Sequence, residues 1–346
     1  MFGDLISIGL PIVAIVSFLA TAFGVALFRR YAARTGLLDH PNERSSHSSP
    51  VPRGGGVVIV LVCLGLYVAS AHAIGFHASW WFVVGGGVVA GISWLDDKHT
   101  VPPLLRLFAQ AGAAVLVIVG IGHFTSLPIP FSSNMLHLGW LGVLITFLWI
   151  VWMINAYNFM DGIDGIAGSQ GVVAGISWAI LGFLLGDPVI TIVGAILAFS
   201  CLGFLVHNWS PARIFMGDVG SAFLGFSFAV LPVMTRSSNE EGSGWLLAAG
   251  VSFVWLFLFD TLFTLAARLK KGEKVWIAHR QHLYQRMVIA GTSHASVTLL
   301  FAGAGALVAA SFLAHRSLGT GSYFILLISM VVTSTVVLFC GLRKKR

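Results

Sequence analysis

Charge is what this chain has least of. Only 10% of its 346 residues are Asp, Glu, Lys or Arg, while 57% are hydrophobic. A soluble domain carries about a quarter charged residues. The shortage excludes a water-soluble globular fold and implies a polytopic membrane protein. Cysteine is also scarce. Cys63, Cys201 and Cys340 each fall inside an apolar run, so they read as small core residues, and neither a disulfide framework nor a zinc site is supported. The first apolar stretch, Leu5 to Phe28, has no basic leader; Arg29 and Arg30 follow it instead. It therefore reads as a first transmembrane helix rather than a cleavable signal peptide. No internal repeat and no low-complexity segment is visible, so a single domain of packed helices is expected over 1–346.

At about 20 residues per span, eleven candidates emerge, near 5–28, 55–74, 79–95, 104–122, 138–157, 169–186, 189–207, 219–235, 245–267, 294–314 and 321–341. The expected class is an all-α membrane protein of about eleven transmembrane helices. With the N-terminus outside (periplasmic) and the C-terminus inside (cytoplasmic), 18 of the 20 basic residues fall on the inner side, leaving Arg236 and Arg316 outside. Such a bias supports both the parity and the direction of the spans. The net charge of +7 then reports topology and contact with anionic lipid headgroups. Nucleic acid is not an expected partner, because the basic residues are scattered over separate inner loops. Most of the acidic residues share that inner side.

The chain is organised around Asn155-Ala-Tyr-Asn-Phe-Met-Asp-Gly-Ile-Asp-Gly-Ile-Ala-Gly168. Asn155, Asn158, Asp161 and Asp164 are spaced by three, so on a continuing helix they form a slanted polar stripe. Gly162, Gly165 and Gly168 leave backbone open beside it. Carboxylates and amides at a membrane helix end suit a hard divalent cation or a polar substrate. Interhelical hydrogen bonding is the plainer alternative.

Four further stretches could carry chemistry, each with a solvated loop or turn as its plainer alternative. Asp96 and Asp97 end the third span and could bind a cation, or one could act as a base toward a phosphate. Asp218 lies between Gly217 and Gly220, where backbone can approach a ligand, with Asn208 and Arg213 nearby as an amide and a guanidinium suited to phosphate. His279, Arg280, His282 and Arg286 form a donor cluster apt for a diphosphate. The first inner loop places Arg44, His47 and Arg53 beside glycines, a setting that fits phosphate. Asp260, inside the ninth span, either pairs with Arg268 or points into the site. The loops expected to be catalytic are 29–54, 96–103, 158–168, 208–218 and 268–293.

Together, Asp96-Asp97, Asn158-Phe-Met-Asp-Gly-Ile-Asp-Gly165 and Phe215-Met-Gly-Asp-Val-Gly-Ser221 resemble the polyprenyl-phosphate N-acetylhexosamine-1-phosphate transferase family. The resemblance runs from the Pro52-Arg-Gly-Gly-Gly56 loop to the His279 loop. It implies transfer of a sugar 1-phosphate from a UDP-N-acetylhexosamine to undecaprenyl phosphate at the cytoplasmic face of the bacterial inner membrane. Mg²⁺, with Mn²⁺ as an alternative, would be held by Asp218 with Asn158, and Asp161 would support it. Asp96 and Asp97 would lie by the lipid phosphate, one of them as a candidate base. Asp164 would face the nucleobase, Asn208 would lie on the nucleotide side, and Arg280 and His282 would contact the diphosphate or sugar. The peptidoglycan branch carries consecutive histidines in the last loop, whereas this chain reads His279-Arg-Gln-His-Leu-Tyr-Gln-Arg286. That is closer to the branch that starts O-antigen and lipopolysaccharide synthesis. A homodimer paired through apolar helix faces is compatible with the sequence. A transporter is the alternative class, but it would tend to place its acids near the bilayer midplane, often in matched repeats.

Overall fold

The computed structural model describes residues 9–39, 50–129, 134–235, 242–274, 279–318 and 323–343. Among these residues the fold is helical apart from two short hairpins. The helices are α1 (Leu10–Thr35), α2 (Gly56–Ile74), α3 (Trp80–Lys98), α4 (Pro103–Gly120), α5 (Leu141–Phe159), α6 (Ile166–Leu185), α7 (Pro188–Asn208), α8 (Asp218–Met234), α9 (Gly242–Phe253), α10 (Trp255–Lys270), α11 (Leu283–Ile289), α12 (His294–Leu318) and α13 (Tyr323–Leu342). The antiparallel pairs are β1 (Leu38–Asp39) with β2 (Val51–Pro52) and β3 (Ser126–Pro128) with β4 (Met135–His137), in registers Leu38↔Pro52 and Ser126↔His137. Every expected span overlaps a helix. Among the described residues, eight helices are long and apolar enough to cross a membrane, or nine if the bent pair α9–α10 counts as one. The chain is a multi-pass membrane protein.

Small residues set the packing. A Cβ on Gly175 would stand 2.6 Å from the Ala198 backbone nitrogen, and one on Gly194 would stand 2.5 Å from that of Ala179. Helices α6 and α7 therefore touch backbone to backbone, as membrane helices do when dispersion rather than water drives association. The turn between them works as the sequence suggests. Gly186 takes the left-handed φ of 67° that closes α6, and the Asp187 side chain accepts from the Val189 and Ile190 amides to start α7. Helix α8 is the central element, with nearly every residue buried by its neighbours.

Two sequence expectations are corrected. The polar stripe is not helical throughout, because α5 ends at Phe159 and α6 begins at Ile166. Asp161 and Asp164 lie in the intervening turn, which Gly165 closes with φ of 77°. The ninth span is not one helix either. Helices α9 and α10 meet at 79°, and the Phe253 carbonyl released by the break accepts the Gln170 side-chain amide at 2.7 Å. A carbonyl freed within a membrane needs such a partner. With no Pro or Gly at Phe253-Val254-Trp255, the sequence gives no sign of the bend.

Candidate active site

The site forms where α3, α5 and α7 end and α4, α6, α8 and α12 begin. Its centre is the first turn of α8. That helix starts after Gly217, which has no side chain to cap it. Asp97 supplies the cap from α3: its two carboxylate oxygens accept from the backbone amides of Asp218 and Val219, each at 3.1 Å. A Cβ on Gly217 would stand 2.6 Å from that carboxylate, which is why glycine precedes Asp218. The approach loop is pinned as well. Gly55 and Gly56 donate to the Phe215 and Met216 carbonyls, and Phe215 donates to Pro52.

With its backbone fixed, Asp218 turns its carboxylate outward, the side chain 36% exposed. Oδ2 receives the Asn158 amide and the Arg106 guanidinium, both at 3.3 Å. The Asn158 carbonyl oxygen accepts from Ser221 at 2.7 Å. Arg106 also reaches Asp96 at 2.5 Å, and the other Asp96 oxygen accepts from the Val101 amide. Asp96 and Asp97 therefore do not act as a pair: one holds Arg106, and the other, 4% exposed, holds the start of α8. Arg53 donates to the Asp97 backbone carbonyl. Asn155, by contrast, turns away to Gln110 of α4 at 2.7 Å.

The turn between α5 and α6 contributes two carboxylates in opposite states. Asp161 is partly buried and accepts no hydrogen bond among the described residues. Burial, with the negative charges of Asp218, Asp97 and Asp164 close by, pushes its pKa up to about 8. Asp164 is satisfied: it faces His294 at 3.3 Å and accepts from the Ala212 amide at 3.2 Å. Burial acts to raise its pKa, but the hydrogen bonds and charge of His294 together with the Ala212 amide outweigh it and hold the carboxyl below its ordinary value. Asn208, 4% exposed, joins that turn to the next loop, accepting from the Gly165 amide at 3.0 Å and donating to the Ile214 carbonyl at 2.9 Å. Both ends of its amide are thus spent on positioning backbone.

The loop before α11 closes one side. Asp260, fully buried in α10, accepts from the Leu283 and Tyr284 amides at 2.9 and 3.1 Å and from His282 Nδ1 at 3.0 Å. Asp260 does not pair with Arg268, which pairs with Glu273 at 2.9 Å; it points instead to the loop that carries His282. Tyr284 donates from its hydroxyl to the Phe159 carbonyl at 3.0 Å, tying this loop to the end of α5. His279 stacks on His282 with ring centroids 5.0 Å apart. Burial, then the electrostatic influence of the His282 and Arg268 side chains, lower the His279 pKa to about 4. Arg280 is partly exposed and Arg213 exposed. Arg44 and His47 lie outside the described residues.

The structure also assembles residues that no motif marks. Arg106 is a lone arginine in the first turn of α4. His294 opens α12, 130 residues from its partner, and Asp260 acts through α11. Only chain folding brings them in.

A divalent cation is compatible with this set. Among the described residues no three His, Cys, Asp or Glu side chains form a self-sufficient metal cage. Magnesium does not require one, since it commonly takes one or two carboxylates and completes its shell with water and phosphate oxygens. Asp218 and Asp161, the latter accepting no hydrogen bond among the described residues, offer such carboxylates, and a cation would offset both the burial and the negative charge that raise Asp161. As oriented here, Asn158 gives Asp218 its NH₂ and spends its oxygen on Ser221.

Fold and site together define a multi-pass membrane protein with a carboxylate- and guanidinium-lined centre at one end of its helices. Residues 79–236 match glycosyl transferase family 4. The decaprenyl-phosphate N-acetylglucosaminephosphotransferase of Mycobacterium leprae is 31% identical over 97% of this chain and 91% of its own length. The undecaprenyl-phosphate alpha-N-acetylglucosaminyl 1-phosphate transferase of Pasteurella multocida is 31% identical over 85% and 83%. A probable undecaprenyl-phosphate N-acetylglucosaminyl 1-phosphate transferase of Bacillus subtilis is 28% identical over 93% and 90%. The chain belongs to glycosyl transferase family 4.

Proposed function

We propose that this protein transfers N-acetylglucosamine 1-phosphate from UDP-N-acetylglucosamine to undecaprenyl phosphate and releases UMP. It would do so at the cytoplasmic face of the inner membrane, as the first step of O-antigen or a related cell-envelope polysaccharide. The observation that carries the reading is the Asp218 centre, where Asn158 and Arg106 meet a carboxylate whose backbone Asp97 fixes, within electrostatic reach of Asp161. The names of the relatives support the sugar and the polyprenyl acceptor.

In the proposed reaction an oxygen of the lipid phosphate attacks the phosphorus that bears the sugar. The bond from that phosphorus to the bridging oxygen breaks, and the electron pair leaves with UMP. One phosphoanhydride replaces another, so catalysis consists chiefly of positioning and charge neutralisation. The second ionisation of a phosphate monoester lies near pH 6, so the acceptor is already charged and needs no strong base. That accords with Asp97, whose oxygens are both engaged by backbone amides. Arg106 and Arg280 would offset the charge of the two phosphate substrates. Magnesium held by Asp218 and Asp161, with Asn158 beside them, would supply Lewis-acid charge neutralisation at the diphosphate.

The test is a detergent assay with undecaprenyl phosphate, Mg²⁺ and a panel of UDP-N-acetylhexosamines. UMP release that needs both lipid and metal, is lost with EDTA and is abolished in Asp218→Ala supports the reading. UMP release without lipid, or none from any donor by folded protein, refutes it.

A further inference from the structure

Asp260 is a carboxylate that the transfer reaction, as described, does not use. It is 0% exposed and lies within α10. A buried carboxylate costs several kcal/mol unless its environment compensates. Here four donors do so: the Leu283 amide at 2.9 Å, His282 Nδ1 at 3.0 Å and the Thr264 hydroxyl at 3.1 Å on one oxygen, and the Tyr284 amide at 3.1 Å on the other. The amides are those of the first turn of α11, whose N-terminal flank is His282. Asp260 therefore caps one helix from another, as Asp97 does for α8. The difference is the imidazole. A carboxylate on Nδ1 holds that nitrogen protonated and fixes the plane of the ring. Nε2 is then the nitrogen left for a ligand, while the ring also lies against the Gln285 backbone amide in the first turn of α11.

The His282 ring stands beside the proposed reaction centre. It stacks on His279 at 5.0 Å, and its centroid lies 6.5 Å from that of Phe159. Tyr284, two residues on, is bonded to the Phe159 carbonyl, just before the turn that carries Asp161.

We propose that Asp260 is a positioning residue for the sugar-nucleotide donor. It locks His282 through Nδ1, so that Nε2 contacts the donor substrate. The proposal rests on the transferase reading for its substrate, but the state of the ring can be measured without activity.

The full-length protein, labelled with ¹⁵N-histidine in detergent, is compared with Asp260→Asn and His282→Asn; loss of a signal in His282→Asn assigns the residue. In the wild type Nδ1 of His282 should show a protonated nitrogen shift at neutral pH. In Asp260→Asn it should move toward the unprotonated value. In the transfer assay both variants should raise the donor KM about tenfold, the scale of one hydrogen bond to a polar substrate. The lipid KM should stay within about twofold of wild type on the same scale, and the double variant should be no worse than either single one. His282→Asn keeps an amide within reach of Asp260, so it guards against failure of Asp260→Asn to fold. An unprotonated Nδ1 in the wild type, an unchanged shift in Asp260→Asn, or a wild-type donor KM in His282→Asn overturns the proposal. A wild type that transfers nothing from any donor refutes the functional reading instead, and the nitrogen shifts still decide whether Asp260 holds the ring.

Discussion

The carboxylate of Asp97 holds the backbone amide of Asp218, so one of the two candidate bases positions the acid proposed to hold the metal. Its second oxygen takes the next amide, Val219. Asp97→Asn keeps one acceptor but sets an NH₂ against the other N–H, at a cost of about 1–3 kcal/mol. The expected outcome is a lower melting midpoint together with lost transfer. A general base would behave differently: its replacement by Asn would stop transfer and leave the midpoint where it was. Thermal unfolding in detergent, read beside activity, separates the two.

Arg106 bridges Asp96 and Asp218 and competes with any cation for the Asp218 carboxylate. Both side chains are partly open to solvent, so the competition is worth only about 0.5–1 kcal/mol. Arg106→Ala should therefore lower the Mg²⁺ concentration for half-maximal rate by about two- to fivefold. The maximal rate should fall, because a phosphate would lose its guanidinium. An unchanged or higher metal requirement would show that Arg106 does not share the cation's ligand.

These two contacts show how far the sequence can be read. The motifs around Asn158 and Asp218 are compact, and those two residues do meet. Asp96 and Asp97 look like a pair because they are adjacent, but consecutive helical residues point about 100° apart, which sends one to Arg106 and the other to α8. The end of α5 at Phe159 was concealed by an even spacing of polar residues that suits a helix and a turn equally; Gly162 and Gly165 were the only hints. Arg106 and His294 carry no local signature, since their meaning comes from partners 112 and 130 residues away. The α9–α10 break is held by Gln170, a residue from a different helix.

Gly162 is explained by contact. A Cβ there would stand 2.1 Å from the Tyr284 hydroxyl, which bonds to the Phe159 carbonyl. Gly162→Ala should push Tyr284 off that carbonyl and loosen the His279 loop. The expected cost is about 1–3 kcal/mol, typical of overpacking, together with a raised donor KM. Tyr284→Phe removes the hydroxyl and should relieve the clash, so the double variant should be more stable than Gly162→Ala alone. Thermal unfolding of the four proteins checks it, and a double variant no better than the single one would refute the contact.

His279 supplies the pH prediction. Its folded pKa of about 4 lies below the ordinary value near 6.5, so below pH 6.5 the unfolded chain binds more protons at this site. Stability rises with pH where that is true. The neutral ring thus contributes its full stability above about pH 6.5, and that contribution is lost as pH falls toward 4. His279→Gln removes the titration, so its melting midpoint should fall less steeply than that of wild type between pH 6.5 and 4.5. The two curves should run parallel between pH 7 and 8. At neutral pH His279 is then a hydrogen-bonding group rather than a cation, and His279→Gln should keep the donor KM within about threefold. Arg280→Ala, which removes a permanent charge, should raise it about tenfold or more. If the wild-type and His279→Gln midpoints kept a constant difference down to pH 4.5, His279 would be titrating normally, and the loop would meet the diphosphate with a charge that the structure does not give it.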